Sequence, residues 1–230
     1  MSTTFWNSVS MVLDSMFDTK TQTNIQPMFI DACKSGNVVI VQLLMFLECV
    51  DPSTTFVCAI ENGHVDVVDR LLQDPRVDPT INNNTVIHIA CKNGHNAVVD
   101  RLLQDVRVSP SSENNCLILT ASIYGFIDVV DRILQDPRVV PSAGRNIAIR
   151  SASSYGNIAI VDRLLQDPRV DPTDISINDA LDAACRNGHI DIVDLLLKTG
   201  KVDPHRNNNY SFTIARLFSR FDITNRMLQK

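Results

Sequence analysis

The sequence predicts an all-α protein, a solenoid of seven helix-turn-helix repeats. Two observations predict it. The phrase Leu-Leu-Gln-Asp-Pro-Arg-Val-Asp-Pro occurs at 71–79 and again at 164–172, with close variants at 102–110 and 133–141. A glycine precedes each copy, at Gly63, Gly94, Gly125 and Gly156, spaced 31 residues apart. Gly36 and Gly188 extend the series, and Ser219 takes the glycine's place in a seventh unit. The register also holds four residues before that position, at Ala32, Ala59, Ala90, Ala121, Ala152, Ala184 and Ala215. A fixed period of roughly 20–50 residues marks a repeat architecture.

Each unit reads as two short helices. The first fills about nine residues before the glycine. In repeat three, Ile87, Ala90 and Cys91 share one face at i, i+3, i+4 spacing. The glycine ends that helix, because it enters the left-handed conformation freely. In repeat two, Val67, Val68, Leu71 and Leu72 form the apolar stripe of the second helix, with Val65 at its start. Pro75 stops it, since proline disfavours helical geometry in the residue before it. Two helices of this size cannot bury their faces alone, so the core is shared between stacked neighbours. The alanine suits close packing of those helices. Residues 26–230 hold the seven repeats, the last a C-terminal cap. Residues 1–25 stand outside the register. Phe5, Trp6, Val9, Val12, Leu13, Met16 and Phe17 give them an apolar helical face, to cap the first repeat or to dock to another protein.

Bulk properties narrow the function. Apolar residues are 44 %, enough for a continuous core, and the net charge is −5. Phosphate binding needs concentrated cations, and no Lys/Arg run supplies them, so no nucleic-acid partner is expected. No apolar stretch nears the roughly 18 residues of a membrane helix, and Met1–Lys20 lacks the pattern of a secretory signal. The six cysteines form no CxxC pair, and Cys33, Cys91 and Cys185 share one repeat position. They read as free, packed thiols of a reducing, cytoplasmic setting. No phosphate loop, Ser/His/Asp set or metal-ligand cluster occurs, so neither enzyme activity, cofactor nor metal is expected.

Several motifs resemble the ankyrin repeat. Ala-Cys-Lys-Asn-Gly-His at 90–95 and Ala-Cys-Arg-Asn-Gly-His at 184–189 look like its AAxxGH segment. Asp66-Val67-Val68 and Asp191-Ile192-Val193 are similar to its E-I-V, and Thr85-Val86-Ile87-His88 to its T-P-L-H. Two departures stand out: only repeat three keeps T-x-x-H, and the usual G-A-D-V-N becomes DPRVDP. The unit is about two residues short, which predicts short connecting fingers. The Asp-Pro-Arg-Val-Asp-Pro style is similar to ankyrin arrays of large DNA viruses and amoebal protists, where the setting would be host-cell cytoplasm.

The resemblance implies a monomeric, non-enzymatic scaffold that binds a partner protein on a concave face. It places the two residues before each glycine on that face. They include Glu61-Asn62, Lys92-Asn93, Ile123-Tyr124, Tyr155 and Arg186-Asn187, with Tyr124 and Tyr155 in one position of adjacent repeats. Tyrosine is enriched in interface hot spots. An alternative role is a substrate-recruiting adaptor of a ubiquitin-ligase-type assembly, docking through residues 1–25. The resemblance also makes His64, His95 and His189 structural, bonding across repeat junctions.

Three further recurrences have structural readings. Asn84, Asn115, Asn146, Asn178 and Asn209 read as N-caps of the first helices or as a polar ladder facing the ligand. Asp66–Arg70 and Asp128–Arg132 are expected i,i+4 pairs. Arg76, Arg107, Arg138 and Arg169 either pin the turn or form a mild basic stripe.

Overall fold

A computed structural model describes residues 22–47, 49–110, 112–170 and 176–228. Among the described residues the chain is all helix, with fourteen helices and no strand. It divides into two compact units, Met1–Val108 and Ser109–Lys230. The first holds three helix pairs: α1 (Gln22–Lys34) with α2 (Val38–Leu44), α3 (Pro52–Glu61) with α4 (Val65–Leu72), and α5 (Ile81–Lys92) with α6 (Asn96–Leu103). The second holds four: α7 (Ser112–Tyr124) with α8 (Ile127–Leu134), α9 (Ala143–Tyr155) with α10 (Ile158–Leu165), α11 (Ile177–Asn187) with α12 (Ile190–Lys198), and α13 (Arg206–Leu217) with α14 (Phe221–Leu228). Because α1 starts at Gln22, residues 22–25 belong to the first repeat's helix. The remainder of the expected cap or docking segment lies outside the described residues.

The apolar stripe of every second helix is buried: Val67, Val68, Leu71 and Leu72 on α4, Val129, Val130, Ile133 and Leu134 on α8. Burying each such side chain contributes about 1.5–3 kcal/mol. The recurrent alanine has a second use besides close packing. Its carbonyl accepts a hydrogen bond from the residue after the glycine, as in His64 N–H to Ala59 O (3.0 Å) and His189 N–H to Ala184 O (3.0 Å). That six-residue closure is the Schellman end of a helix, which requires a left-handed residue at the glycine; Gly63 has φ +75° and Gly188 +86°. The next repeat's side chain then lies directly on the glycine. A Cβ on Gly63 would stand 2.6 Å from His95 Nδ1, and one on Gly125 would stand 2.9 Å from Asn157 Oδ1.

The Asp-Pro-Arg-Val turns form the other seam. Asp74 accepts from Arg76 through its backbone N–H (2.9 Å), Nε (3.0 Å) and Nη2 (2.7 Å). The same guanidinium donates to Val50 O (3.2 Å) and Met45 O (3.1 Å) of the repeat before. Arg107 repeats the arrangement on Asp105 and reaches Val77 O at 3.3 Å. In the second unit Arg169 grips Asp167 and donates to Leu134 O (2.7 Å) and Val139 O (3.0 Å). Of the two sequence readings, these arginines pin turns. The valine after each is buried, at Val77, Val108, Val139 and Val170, and among the described residues of these fingers no strand forms.

Two sequence expectations need correction. Arg70 turns to Gln73 (3.3 Å) rather than to Asp66, and two arginines of this column pair across repeats: Arg101 with Asp69 and Arg163 with Asp131, both at 2.6 Å. Half-exposed pairs of this kind are worth about 0.2–1 kcal/mol. Asn146, Asn178 and Asn209 are not N-caps. Asn84 and Asn115 fall inside α5 and α7, and their side chains lie outside the described residues. Asn146 and Asn209 have φ +55° and +63°, whereas an N-cap is extended. Asn146 Nδ2 donates to Ser176 Oγ of the next repeat (2.8 Å), Asn178 Oδ1 accepts from Asp203 N–H (2.9 Å), and Asn209 Oδ1 meets His205 Nδ1 (2.8 Å). Two of the three therefore fasten repeats to each other, which spacing within one helix does not reveal.

Candidate partner-binding site

The first helices end at the glycine turn, and that turn aims the two preceding residues outward. In the first unit these ends are polar. Glu61, Asn62, Lys92 and Asn93 are all exposed. Their polar groups are partly spent on structure: Asn62 Nδ2 donates to Cys58 O (2.8 Å), and Asn93 Nδ2 donates to Glu61 O (3.1 Å). His95 Nε2 contacts the same Glu61 carbonyl at 2.9 Å, and His64 Nε2 contacts Lys34 O at 2.7 Å. The histidines thus tie junctions, as the resemblance implied.

The second unit differs. Tyr124 is 48 % exposed and Tyr155 is 61 % exposed. Tyr124 stacks on Phe126, with ring centroids 6.2 Å apart and planes at 12°. Ile123 beside it is half-buried, and its carbonyl accepts from Asn157 Nδ2 (3.2 Å). Asn187 Nδ2 donates to Ser154 Oγ (3.0 Å) and Ala183 O (3.1 Å), and His189 Nε2 meets Ser154 O at 3.0 Å. In the seventh repeat the same two positions are Leu217 and Phe218, 75 % and 47 % exposed. The Ser219 register already placed them there; the missing glycine hid them.

A cleft of about 400 Å³ opens between α9, α11 and α13. Tyr155, Arg186 and Asn187 line it, so the second unit gathers three of the expected residues in one place. Tyr124 and Ile123 stand one repeat away, and the Glu61–Asn62 and Lys92–Asn93 pairs belong to the other unit. Tyr210, Arg150, Asp179 and Asp182 also line the cleft and were not expected. They come from repeat positions that vary in type, so only packing assembles them. Asp179 lies 3.8 Å from Arg150 and 3.6 Å from Arg206. Burial pushes the Asp182 carboxyl above its ordinary range, while a 2.6 Å hydrogen bond from Ser211 Oγ pulls the other way.

The sign of that shift yields a test. A carboxyl whose folded pKa exceeds its unfolded value favours folding fully only below the unfolded value, and that favour is lost as pH rises through the folded value. Asp182→Asn keeps an acceptor for Ser211 and removes the charge. We expect it to raise the melting temperature at pH 7 and to leave it unchanged at pH 3, read by circular dichroism. A lower melting temperature at pH 7 would contradict the burial account.

Cys33 and Cys185 are fully buried, and burial pushes their thiols up to about 11 and about 12. Among the described residues no group of three His, Cys, Asp or Glu is placed to hold a metal ion, and no helix is long and apolar enough to cross a membrane.

The family description "Ankyrin repeats (3 copies)" matches residues 29–114 and 117–208, more than half of the chain. The chain belongs to the ankyrin repeat family. Compared with curated proteins, it matches none. Its departures from the ankyrin pattern have structural replacements: the Arg-Asp clamp holds the shortened finger, and Asn157 and Arg220 occupy the place of the histidine in repeats five and seven.

Proposed function

We propose that this ankyrin repeat protein binds a partner protein without catalysing a reaction on it, on the inner face formed by the ends of its first helices. Ankyrin repeats are generally protein-protein interaction modules, which gives the class of function. One observation carries the location: repeats four, five and seven of the second unit expose Tyr124, Tyr155 and Phe218 at a single register position, while the first unit is polar there. Exposed aromatic rings sharing one register position are costly in water and useful in an interface, where they bury area with little loss of side-chain freedom. In the first unit Glu61, Asn62, Lys92 and Asn93 keep the equivalent positions polar and would add little binding energy of their own.

The test compares the wild-type chain with Tyr124→Ala plus Tyr155→Ala in affinity capture and mass spectrometry, followed by titration of the recovered partner. Losing two hot-spot rings should weaken binding by about 2 kcal/mol or more, roughly thirtyfold. Both rings are substantially exposed, so the melting temperature should stay within a degree or two of wild type. Recovery and affinity equal to wild type would remove the tyrosines from the interface.

A further inference from the structure

The cleft between α9, α11 and α13 has a chemical preference of its own. Its acidic groups are already engaged: Asp179 faces Arg150 and Arg206 at 3.8 and 3.6 Å, and Asp182 accepts from Ser211 at 2.6 Å. Arg186 is not engaged in that way. It is exposed, has no carboxylate within 4.0 Å among the described residues, and rests with its guanidinium carbon 6.0 Å from the Phe218 ring centroid. A guanidinium laid over a ring keeps its edge free, and that edge presents N–H donors in the fork that matches a carboxylate. Tyr155 and Tyr210 flank the cleft, 61 % and 44 % exposed, and make no side-chain hydrogen bond among the described residues. Two arginines and two carboxylates line the cleft, and with Asp179 held by Arg150 and Arg206 and Asp182 by Ser211, Arg186 is the lining cation with no such close contact.

We infer that this cleft takes an acidic side chain, Glu or Asp, from an extended segment of the partner protein, with the carboxylate on Arg186 and a neighbouring apolar side chain between Tyr155 and Tyr210. This rests on the partner-binding reading above. A cleft lined mostly by charged and polar side chains suits a peptide better than an organic cofactor, whose pockets are mostly apolar.

A phage-displayed library of random dodecapeptides, selected on the full chain, supplies the probe. Selected sequences should be enriched in Glu or Asp next to an apolar residue. A synthetic peptide of that sequence should bind Arg186→Glu about tenfold or more weakly, the loss expected for one charge-assisted contact. Its Glu→Lys counterpart should recover binding on Arg186→Glu, which a misfolded variant cannot reproduce. Arg186→Gln, which keeps shape and removes charge, should fall between. Selected peptides without an acidic preference, or acidic peptides that bind Arg186→Glu as well as wild type, overturn the inference. If such peptides still lose affinity for Tyr124→Ala plus Tyr155→Ala, the general partner-binding reading stands and only the acidic preference falls.

Discussion

Gly156→Ala is expected to destabilise the second unit by about 3 kcal/mol, whereas Gly200→Ala costs only about 1 kcal/mol. Both glycines are left-handed, with φ +80° and +68°. Placing an L side chain in that region costs roughly 1–2 kcal/mol at either site. The difference is what the new methyl group meets. At Gly200 nothing lies within 4 Å of it. At Gly156 it would stand 2.7 Å from His189 Cε1 and 2.9 Å from Nδ1, so the ring must move. Moving it breaks the 3.0 Å contact between His189 Nε2 and Ser154 O, leaving a carbonyl at the repeat junction short of a partner. Chemical denaturation of both variants measures the difference. Equal losses would show that the left-handed conformation alone requires glycine, and that the histidine over it contributes nothing.

Arg169→Ala is expected to cost about as much, near 3 kcal/mol, and to alter the acid limb of stability. The side chain donates to Leu134 O, Val139 O and Asp167, while Asp167 is only 5 % exposed. Removing one partner of a buried ion pair typically costs about 3–5 kcal/mol, and the guanidinium here is a third exposed, which places the expectation at the low end. The hydrogen bonds from Arg169 hold the Asp167 carboxyl below its ordinary 3.8, against burial, which works to raise it. Asp74, Asp105 and Asp136 are held down by their own arginines in the same way. A carboxyl depressed in the folded state stabilises it above the unfolded pKa, and that stability is lost as pH falls through the folded value. The contribution of these four clamps should therefore be fully present above about pH 5 and be lost progressively below 3.8. The deficit of Arg169→Ala should be full at pH 7 and shrink as acid protonates Asp167, first in the variant, where burial acts unopposed by the guanidinium, and then in wild type. A deficit independent of pH would mean that the arginine acts only through the carbonyls.

These two variants mark how far local pattern reaches. The stripe Val67, Val68, Leu71, Leu72 is legible because α-helical spacing puts its members on one side, and Pro75 and Gly63 punctuate the chain through backbone sterics that need no partner. Seven alanines at one offset carry more, since a shared position across units implies a shared contact. The Asn146 expectation went astray for a physical reason. Its side chain was assigned a partner within its own helix, where spacing is known in advance, but an amide or guanidinium reaches as far as the adjacent repeat, some 30 residues away. Asn146 meets Ser176 there, and the arginine column pairs Arg101 with Asp69. The cleft was hidden for the same reason: Tyr155 was visible from its register, but Arg150, Asp179 and Tyr210 sit at positions with no recurring residue type.

Read alone, the order of residues settled which segments are helical, where each helix stops and that neighbouring repeats share a core, because these follow from backbone geometry and from apolar faces too small to be buried singly. Three-dimensional packing settled which polar groups are consumed in joining repeats and which stay free for a ligand. Hydrogen bonds and ion pairs are short-ranged, so their partners are set by distance in space. Asn93 and Asn187 are bound to the repeat before them, while Arg186, one residue from Asn187 in the chain, faces solvent with its donors unspent.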